Sequence, residues 1–459
     1  MRRFFIAAGV VCHMLFLVSI GLHFTFAPSP GRLVDMRLIE GRRPFKGILP
    51  PTSIRTPACC DHFQQLHARE KNGIALKNFI SIPPRRSSNL GLDRFVRDAN
   101  KTDPGGDFYQ LWRAGLNLRH DLSIFEQYDA DSDMKLVKRL DRITPFHPPN
   151  RYLPAMIYLA GLPLSFLDPI IAYLVWVILH ELCLFLCILV TWRLTTDKAT
   201  RAVLTFFWLC FLPYYLELYM GQTSFLVMTG AFLAAMAADR NKPLHAAAWW
   251  TITLIVKPLT LLFTPSFVMQ RRWSTTAIGL GVLAASSLPY FMSNPADFKL
   301  FINWSLGQSV VSNVGAYCFQ NGMYHLFYSE TVVKAAAYAI LAGALILAII
   351  RRHWPFSTHA CLWLTTYFMT YAHVWEHHYV MLLPVLVILY LKGTRRLSLI
   401  LFVLLTLPSP FFIYEGTGSW FGEMLYLAAK VIPVVILFAY LGANYLFPSS
   451  ENEPLARHL

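Results

Sequence analysis

The sequence predicts an all-α polytopic membrane protein, on three observations. Of 459 residues, 55% are hydrophobic and only 14% are charged, against about 25% charged in an ordinary soluble chain. Apolar stretches close to the ~20 residues that cross a hydrocarbon core recur from Leu153 to Phe447. Cations gather in alternate connections, at Arg240 and Lys242, Arg271-Arg272, Arg351-Arg352 and Arg395-Arg396. The connections "YMGQT", "AHVWEHH" and "EGTGSWFGE" hold no Lys or Arg. That asymmetry marks cytoplasmic loops. It also accounts for a net charge of +14 without a nucleic-acid partner, for which no basic–aromatic module is present.

Residues 1–26, "MRRFFIAAGVVCHMLFLVSIGLHFTF", read as a first span with a cytoplasmic N-terminus. Its apolar run exceeds the 7–15 residues of a secretory core, and Pro28 follows the only plausible cleavage point. Residues 27–151 then form a large extracytoplasmic loop with interfacial helices, long enough to escape the charge rule. Its first part is rich in Pro, Arg and Ser, and it turns helical from "DRFVRDAN" onward. Residues 152–447 form a multi-span core with an outer loop over 293–330, and 448–459 form a cytoplasmic tail.

Within the core, "RYLPAMIYLAGLPLSFL" is too short for a span and reads as a re-entrant or interfacial helix on the outer face. The run from Ile170 to Arg193 crosses inward. Two short spans, 202–219 and 222–238, follow, joined outside by "YMGQT". As one straight helix, "LHAAAWWTITLIVKPLTLLFTPSFVMQRRW" would carry Arg271 and Arg272 outside and invert every later loop. Broken at Lys257-Pro258, it returns both arginines to the cytoplasm. Proline suits the break because it lacks the amide and clashes with the preceding turn. With that hairpin the chain makes about 11 membrane passes.

Five of the eight cysteines (Cys12, Cys183, Cys187, Cys210 and Cys361) fall in apolar segments and read as small hydrophobes. Adjacent Cys59 and Cys60 suit a mutual disulfide poorly, and no spacing resembles a zinc or iron–sulfur site. His373 and His377 are four apart, a two-ligand hint that is weak alone. Walker, GxSxG, GxGxxG and HExxH patterns are absent. The expectation is no metal and no cofactor, with neither nucleotide-driven transport nor soluble-type hydrolysis.

This topology places a polar set outside: Asp107, Arg113, Glu217, Gln222, Lys257, Asn294, Asp297, His373, Glu376, His377 and His378. A carboxylate to take a proton and cations to hold a phosphate are what group transfer from a phosphate-linked substrate requires. Blander readings stand beside these. Asp107 after Gly105-Gly106 fits a helix N-cap, and Arg113 fits a solvated or lipid-facing charge. Lys257 would be costly in a bilayer unless functional or snorkelling. His180 and Glu181 would satisfy each other or a neighbour inside the bundle. Lys334 and Lys430 would snorkel outward.

Over roughly residues 105–390 the chain resembles glycosyltransferase family 87, by the order and spacing of five stretches. These are "GGDFYQLWRAGLNL", "RYLPAMIYLAGLPLSFLDPIIAYLVWVIL", "YMGQTSFLVMTGAFLAA", "TLIVKPLTLLFTPSFVMQRRW" and "AHVWEHHYVMLLPVL". The resemblance implies a GT-C-type fold and a donor that is a polyprenyl-phosphate sugar, most typically mannose. The acceptor would be a lipid or glycan at the extracytoplasmic face of the cell membrane. It further implies Asp107 as general base, and Lys257, His377 and His378 as ligands of the donor phosphate. Arg113, Gln222 and Glu376 would orient substrate. The competing class is a transporter or lipid flippase of envelope glycan intermediates. Such proteins place their sites at the midplane and often repeat their halves, whereas here the polar groups gather at one face.

Overall fold

The computed structural model describes residues 2–26, 105–125, 150–306, 318–407 and 420–446. Most of the expected outer loop (27–104 and 126–149), part of the second one (307–317) and the tail lie outside the described residues, as do Cys59 and Cys60. Among the described residues every regular element is helical. The chain enters through α1 (Arg2–Phe26), α2 (Phe108–Arg119) and a short α3 (Pro154–Leu164). It continues through α4 (Pro169–Arg193), α5 (Lys198–Cys210), α6 (Leu212–Met220), α7 (Ser224–Asp239) and α8 (Pro243–Val256). After a 3₁₀ run, Pro258–Phe263, come α9 (Thr264–Met269), α10 (Trp273–Ser293), α11 (Pro295–Leu306), α12 (Phe319–Phe327) and α13 (Glu330–Ile350). The last part comprises α14 (Phe356–Thr370), a second 3₁₀ run Glu376–Leu382, α15 (Leu383–Leu391), α16 (Arg395–Thr406) and α17 (Trp420–Leu446).

The core is organised around α7. Residues Ser224 to Ala238 are all buried, as an all-round apolar helix must be. Its small side chains in "TGAFLAAMAA" let α8, α14 and the second 3₁₀ run pack against it. Five helical stretches are long and apolar enough to cross a membrane: Pro169–Arg193, Lys198–Met220, Trp273–Ser293, Glu330–Ile350 and Leu427–Asn444. Ser224–Asp239, Pro243–Val256, Pro258–Met269 and Glu376–Leu391 are apolar but shorter. The protein is therefore a polytopic helical membrane protein whose individual passes are often interrupted. Phe211 separates α5 from α6 just before Pro213, and Lys257 separates α8 from the 3₁₀ run.

The hairpin at Lys257-Pro258 is present. Lys257 is extended (φ −159°, ψ 117°), and the chain returns so that Arg272 Nη2 reaches Asn241 Oδ1 at 3.5 Å. Thr275 likewise donates to the Pro243 carbonyl at 3.2 Å. The same end holds the Ser357 amide on the Asp239 carboxylate (3.2 Å) and Lys392 on Thr358. Arg240, Arg272 and Lys392 thus share one end of the bundle. Residue 222 lies at the other, since α7 alone is about 24 Å long at 1.5 Å per residue.

Of the expectations for membrane-embedded charges, only that for Lys430 is corrected, while His180 and Glu181 find neighbours inside the bundle. His180 and Glu181 do not pair with each other, because successive helical residues point about 100° apart. His180 Nδ1 meets the Trp176 carbonyl (2.9 Å), while Glu181 takes His13 of α1 and Tyr214 of α6, both at 2.8 Å. Lys430 does not snorkel. It is 1% exposed and pairs with Glu376 at 3.1 Å, with the Leu405 carbonyl at 2.8 Å. Lys334 is exposed and pairs one turn back with Glu330.

Candidate active site

Asp107 sits where two glycine turns meet. The Gly105 amide donates to the Tyr219 carbonyl (2.7 Å) and the Asp107 amide to the Met220 carbonyl (2.9 Å). That approach needs Gly221 at the C-terminus of α6. Its φ is +71°, and a Cβ there would fall 2.5 Å from Phe108 Cβ. The segments "GGD" and "MGQ" are thereby clamped backbone to backbone, which fixes Asp107 beside Gln222. A second close approach sets α2 against α3: a Cβ on Gly115 would lie 2.0 Å from the Gly161 oxygen. Gly161 closes a π-turn, Ile157–Gly161, a local widening often found at functional sites.

The Asp107 side chain does not cap α2. Its Oδ1 accepts from Gln110 Nε2 (2.8 Å) and its Oδ2 from Gln222 Nε2 (2.7 Å). The capping expectation therefore fails, because two amide side chains outcompete the helix amides for the carboxylate. Burial raises the Asp107 pKa from its ordinary value, against the opposing pull of Gln222, of the Arg151 and Lys257 charges, and of Gln110. A carboxylate with a raised pKa, held by neutral donors, is suited to accept a proton.

Lys257 lies at the α8 break and points Nζ to within 3.4 Å of His378 Nε2. The His378 Nδ1 already accepts the Trp375 amide at 2.9 Å. Neutral His378 therefore carries its proton on Nε2, and a lysine ammonium there also only donates. Two donors face each other. His377, 2% exposed, has its Nε2 buried with no hydrogen-bond partner among the described residues. An anion placed among these groups would satisfy all three. Glu217, fully buried on α6, binds the Phe225 amide with Oε1 (2.9 Å) and sits within electrostatic reach of both Lys257 and Asp107.

The structure thus brings Asp107, Gln222, Lys257, His377 and His378 to one end of the bundle. Neither Arg113 nor Glu376 is among the groups that hold or act on Asp107. Arg113 is buried on α2, six residues beyond Asp107 and hence about 240° around the helix. Glu376 turns to Lys430. Asp297 is engaged elsewhere, by Ser123 (2.7 Å) and by Tyr290. Among the described residues no group of three His, Cys, Asp or Glu side chains is placed to hold a metal. The four-residue spacing of His373 and His377 fails because the helical run begins only at Glu376.

The residue that sequence reasoning missed is Arg151, which acts electrostatically on Asp107 and bonds His373 at 3.0 Å. It was hidden as one more cation in a basic loop. Its only signal was the adjoining "YLP", the start of the helix that packs on α2.

Comparison with known proteins gives one decisive match. The family model of glycosyltransferase family 87 matches residues 153–375. Over that stretch, just under half of the chain, the match supports assignment to this family. The matched region contains Gln222, Lys257 and His373, while Asp107, Arg151, His377 and His378 flank it. No curated protein and no solved structure matches. With the apolar helices, the match indicates a membrane glycosyltransferase.

Proposed function

We propose that this family 87 enzyme transfers a sugar, most typically mannose, from a polyprenyl-phosphate donor to a hydroxyl of a lipid or glycan acceptor. The observation that carries the reading is a proton-accepting carboxylate and a set of unsatisfied cationic or N–H donors side by side. Asp107 removes the acceptor's hydroxyl proton while that oxygen bonds the anomeric carbon. The bond from that carbon to the phosphate oxygen breaks on the opposite face, and its electron pair leaves with the polyprenyl phosphate. Configuration inverts. Lys257, His377 and His378 receive the developing phosphate charge, in a setting where fixed donors act most strongly. Gln222 keeps Asp107 aligned.

The site is assigned to the extracytoplasmic face. The support is the shared basic end of Arg240, Arg272 and Lys392 opposite Asp107, read with the positive-inside rule. A lipid-linked donor explains a site at the end of a bundle, since donor and leaving group both stay in the bilayer. The test gives purified protein in nanodiscs polyprenyl-phosphate mannose, polyprenyl-phosphate glucose and nucleotide sugars, each with a radiolabelled sugar, and a lipid acceptor. Transfer from a lipid-linked sugar that requires Asp107 is expected. Transfer from a nucleotide sugar alone, or lipid movement with no new glycosidic bond, would overturn the proposal.

A further inference from the structure

Arg151 is an unusual cation for this site because its own hydrogen bonding is half complete. It follows Asn150, which is buried and folds its side chain back on the Tyr152 amide (3.0 Å), so the backbone beneath Arg151 is fixed. One end of the guanidinium, Nη1, meets His373 Nε2 at 3.0 Å. The indole Nε1 of Trp375 donates to the same nitrogen at 3.1 Å. Two donors on His373 Nε2 require that nitrogen to be an acceptor, so the ring is neutral with its proton on Nδ1. Burial, with the charges of Arg151 and Lys257, lowers the His373 pKa to about 3, in keeping with that assignment. The Arg151 Nε–H, by contrast, is buried with no partner among the described residues. A buried arginine donor without an acceptor is costly, and here it accompanies the unpartnered His377 Nε2 and the facing donors of Lys257 and His378.

We propose that Arg151 is a ligand of the donor's phosphate, and that His373 is a positioning residue that aims its guanidinium. The inference rests on the polyprenyl-phosphate reading above. It gives His373 a role distinct from that of a cationic phosphate ligand. As a neutral acceptor it takes one edge of the guanidinium and leaves the other directed at the anion, in the forked geometry arginine uses for phosphate.

The probe is farnesyl phosphate, compared with farnesol, binding to the purified full-length protein in nanodiscs by calorimetry. Wild type is expected to prefer the phosphate. Arg151→Gln should lower that affinity about 10- to 100-fold, the worth of a hydrogen bond to a charged group, with farnesol binding unchanged. His373→Leu should do the same, His373→Gln should restore most of the affinity by supplying an acceptor oxygen, and His373→Leu added to Arg151→Gln should cost little more. A merely structural role would disturb farnesol binding and folding as well. Wild-type phosphate affinity in Arg151→Gln overturns the inference and leaves the donor assignment standing. Equal loss in His373→Gln and His373→Leu overturns the positioning role, even if Arg151→Gln does not fold. Failure of wild type to distinguish phosphate from alcohol overturns both readings.

Discussion

Replacing Asp107 by Asn separates a catalytic carboxylate from a structural one. The side chain makes two hydrogen bonds, both accepted from side-chain amides. Asn keeps one acceptor oxygen and presents an NH₂ to the other amide, which can rotate by 180° to offer its own oxygen. The net cost in hydrogen bonding is about 1 kcal/mol or less. Against it stands a gain. Burial holds the Asp107 pKa above its ordinary 3.8, so between 3.8 and the raised value the folded protein binds more protons than the unfolded one. Such a group favours folding fully below 3.8, and this contribution is lost as pH rises through the folded pKa. A neutral Asn does not pay that desolvation at neutral pH. The variant should therefore match or exceed wild type in thermal stability at pH 7, and the difference should shrink as pH approaches 4.

Transfer should behave oppositely. Removing the proton acceptor while keeping shape should lower turnover by about 10²-fold or more. In wild type the acid limb of kcat/KM should lie above the ordinary carboxylate range, because the free enzyme's base titrates there. The assay is nanodisc-bound enzyme with polyprenyl-phosphate mannose and a lipid acceptor, read by labelled product, with unfolding followed in parallel from pH 4 to 7.5. A stable Asn variant retaining substantial transfer would refute the assignment of the base. A variant clearly less stable than wild type at pH 7 would refute the account of its burial.

Other outcomes are expected from the same structure. Lys257→Ala, and His377→Ala with His378→Ala, should each cost about 2–4 kcal/mol of transition-state stabilisation, seen as a fall in kcat/KM for the lipid-linked donor. Wild-type turnover would remove them from the mechanism. Glu376→Gln should destabilise the fold by roughly 3 kcal/mol, since it leaves a buried lysine charge with only carbonyl partners. Thermal unfolding in detergent checks this, and unchanged stability would show the Glu376–Lys430 pair to be incidental. Single cysteines at 240 and 271, in a background without the native eight, should be labelled from the same side of sealed vesicles. Labelling from opposite sides would contradict the hairpin at Lys257.

Much of the fold was legible because a bilayer leaves few options: long apolar runs must be helices, and charge marks their ends. The break at Lys257 was legible from proline chemistry combined with the charge of Arg271 and Arg272. The glycines of "GGD" and "MGQ" were quoted without a role, and the structure supplies one: Gly221 occupies a left-handed position against Phe108 that a Cβ would crowd. What did not show was side-chain choice. Asp107 had backbone amides within local reach, yet it took Gln222, 115 residues away, and no local pattern encodes that. Arg113 was named from the resemblance, whereas Arg151, whose charge acts on Asp107, stood as one more cation in a basic loop. Glu376 and Lys430 were read separately because nothing in a linear pattern pairs the second 3₁₀ run with α17. The estimate of about 11 passes rested on length, and α6, α7 and α8 are shorter than full crossings.

The arrangement of partners around the charged groups shows how the proposed base and the proposed phosphate ligands can lie within electrostatic reach of one another. Had Asp107 formed a direct ion pair with Lys257 or Arg151, the carboxylate's pKa would fall and its proton affinity with it. The cation would be spent as well, and the donor phosphate would have to displace a carboxylate to bind. Instead Asp107 is held by the amides of Gln110 and Gln222 and Arg151 by the lone pair of His373, while Lys257 faces the N–H of the His378 imidazole and keeps its charge for an anion. The cations still act on Asp107 through space, moderating its pKa without neutralising it. The irregular backbone follows from the same need. An extended Lys257, a π-turn beside α2 and a 3₁₀ run after Trp375 are the places where side chains depart from helical directions. Such departures let Asp107 before α2 meet Gln222 of the α6–α7 turn, and Lys257 of the α8 break meet His378 of the second 3₁₀ run, with Lys257 within electrostatic reach of Asp107.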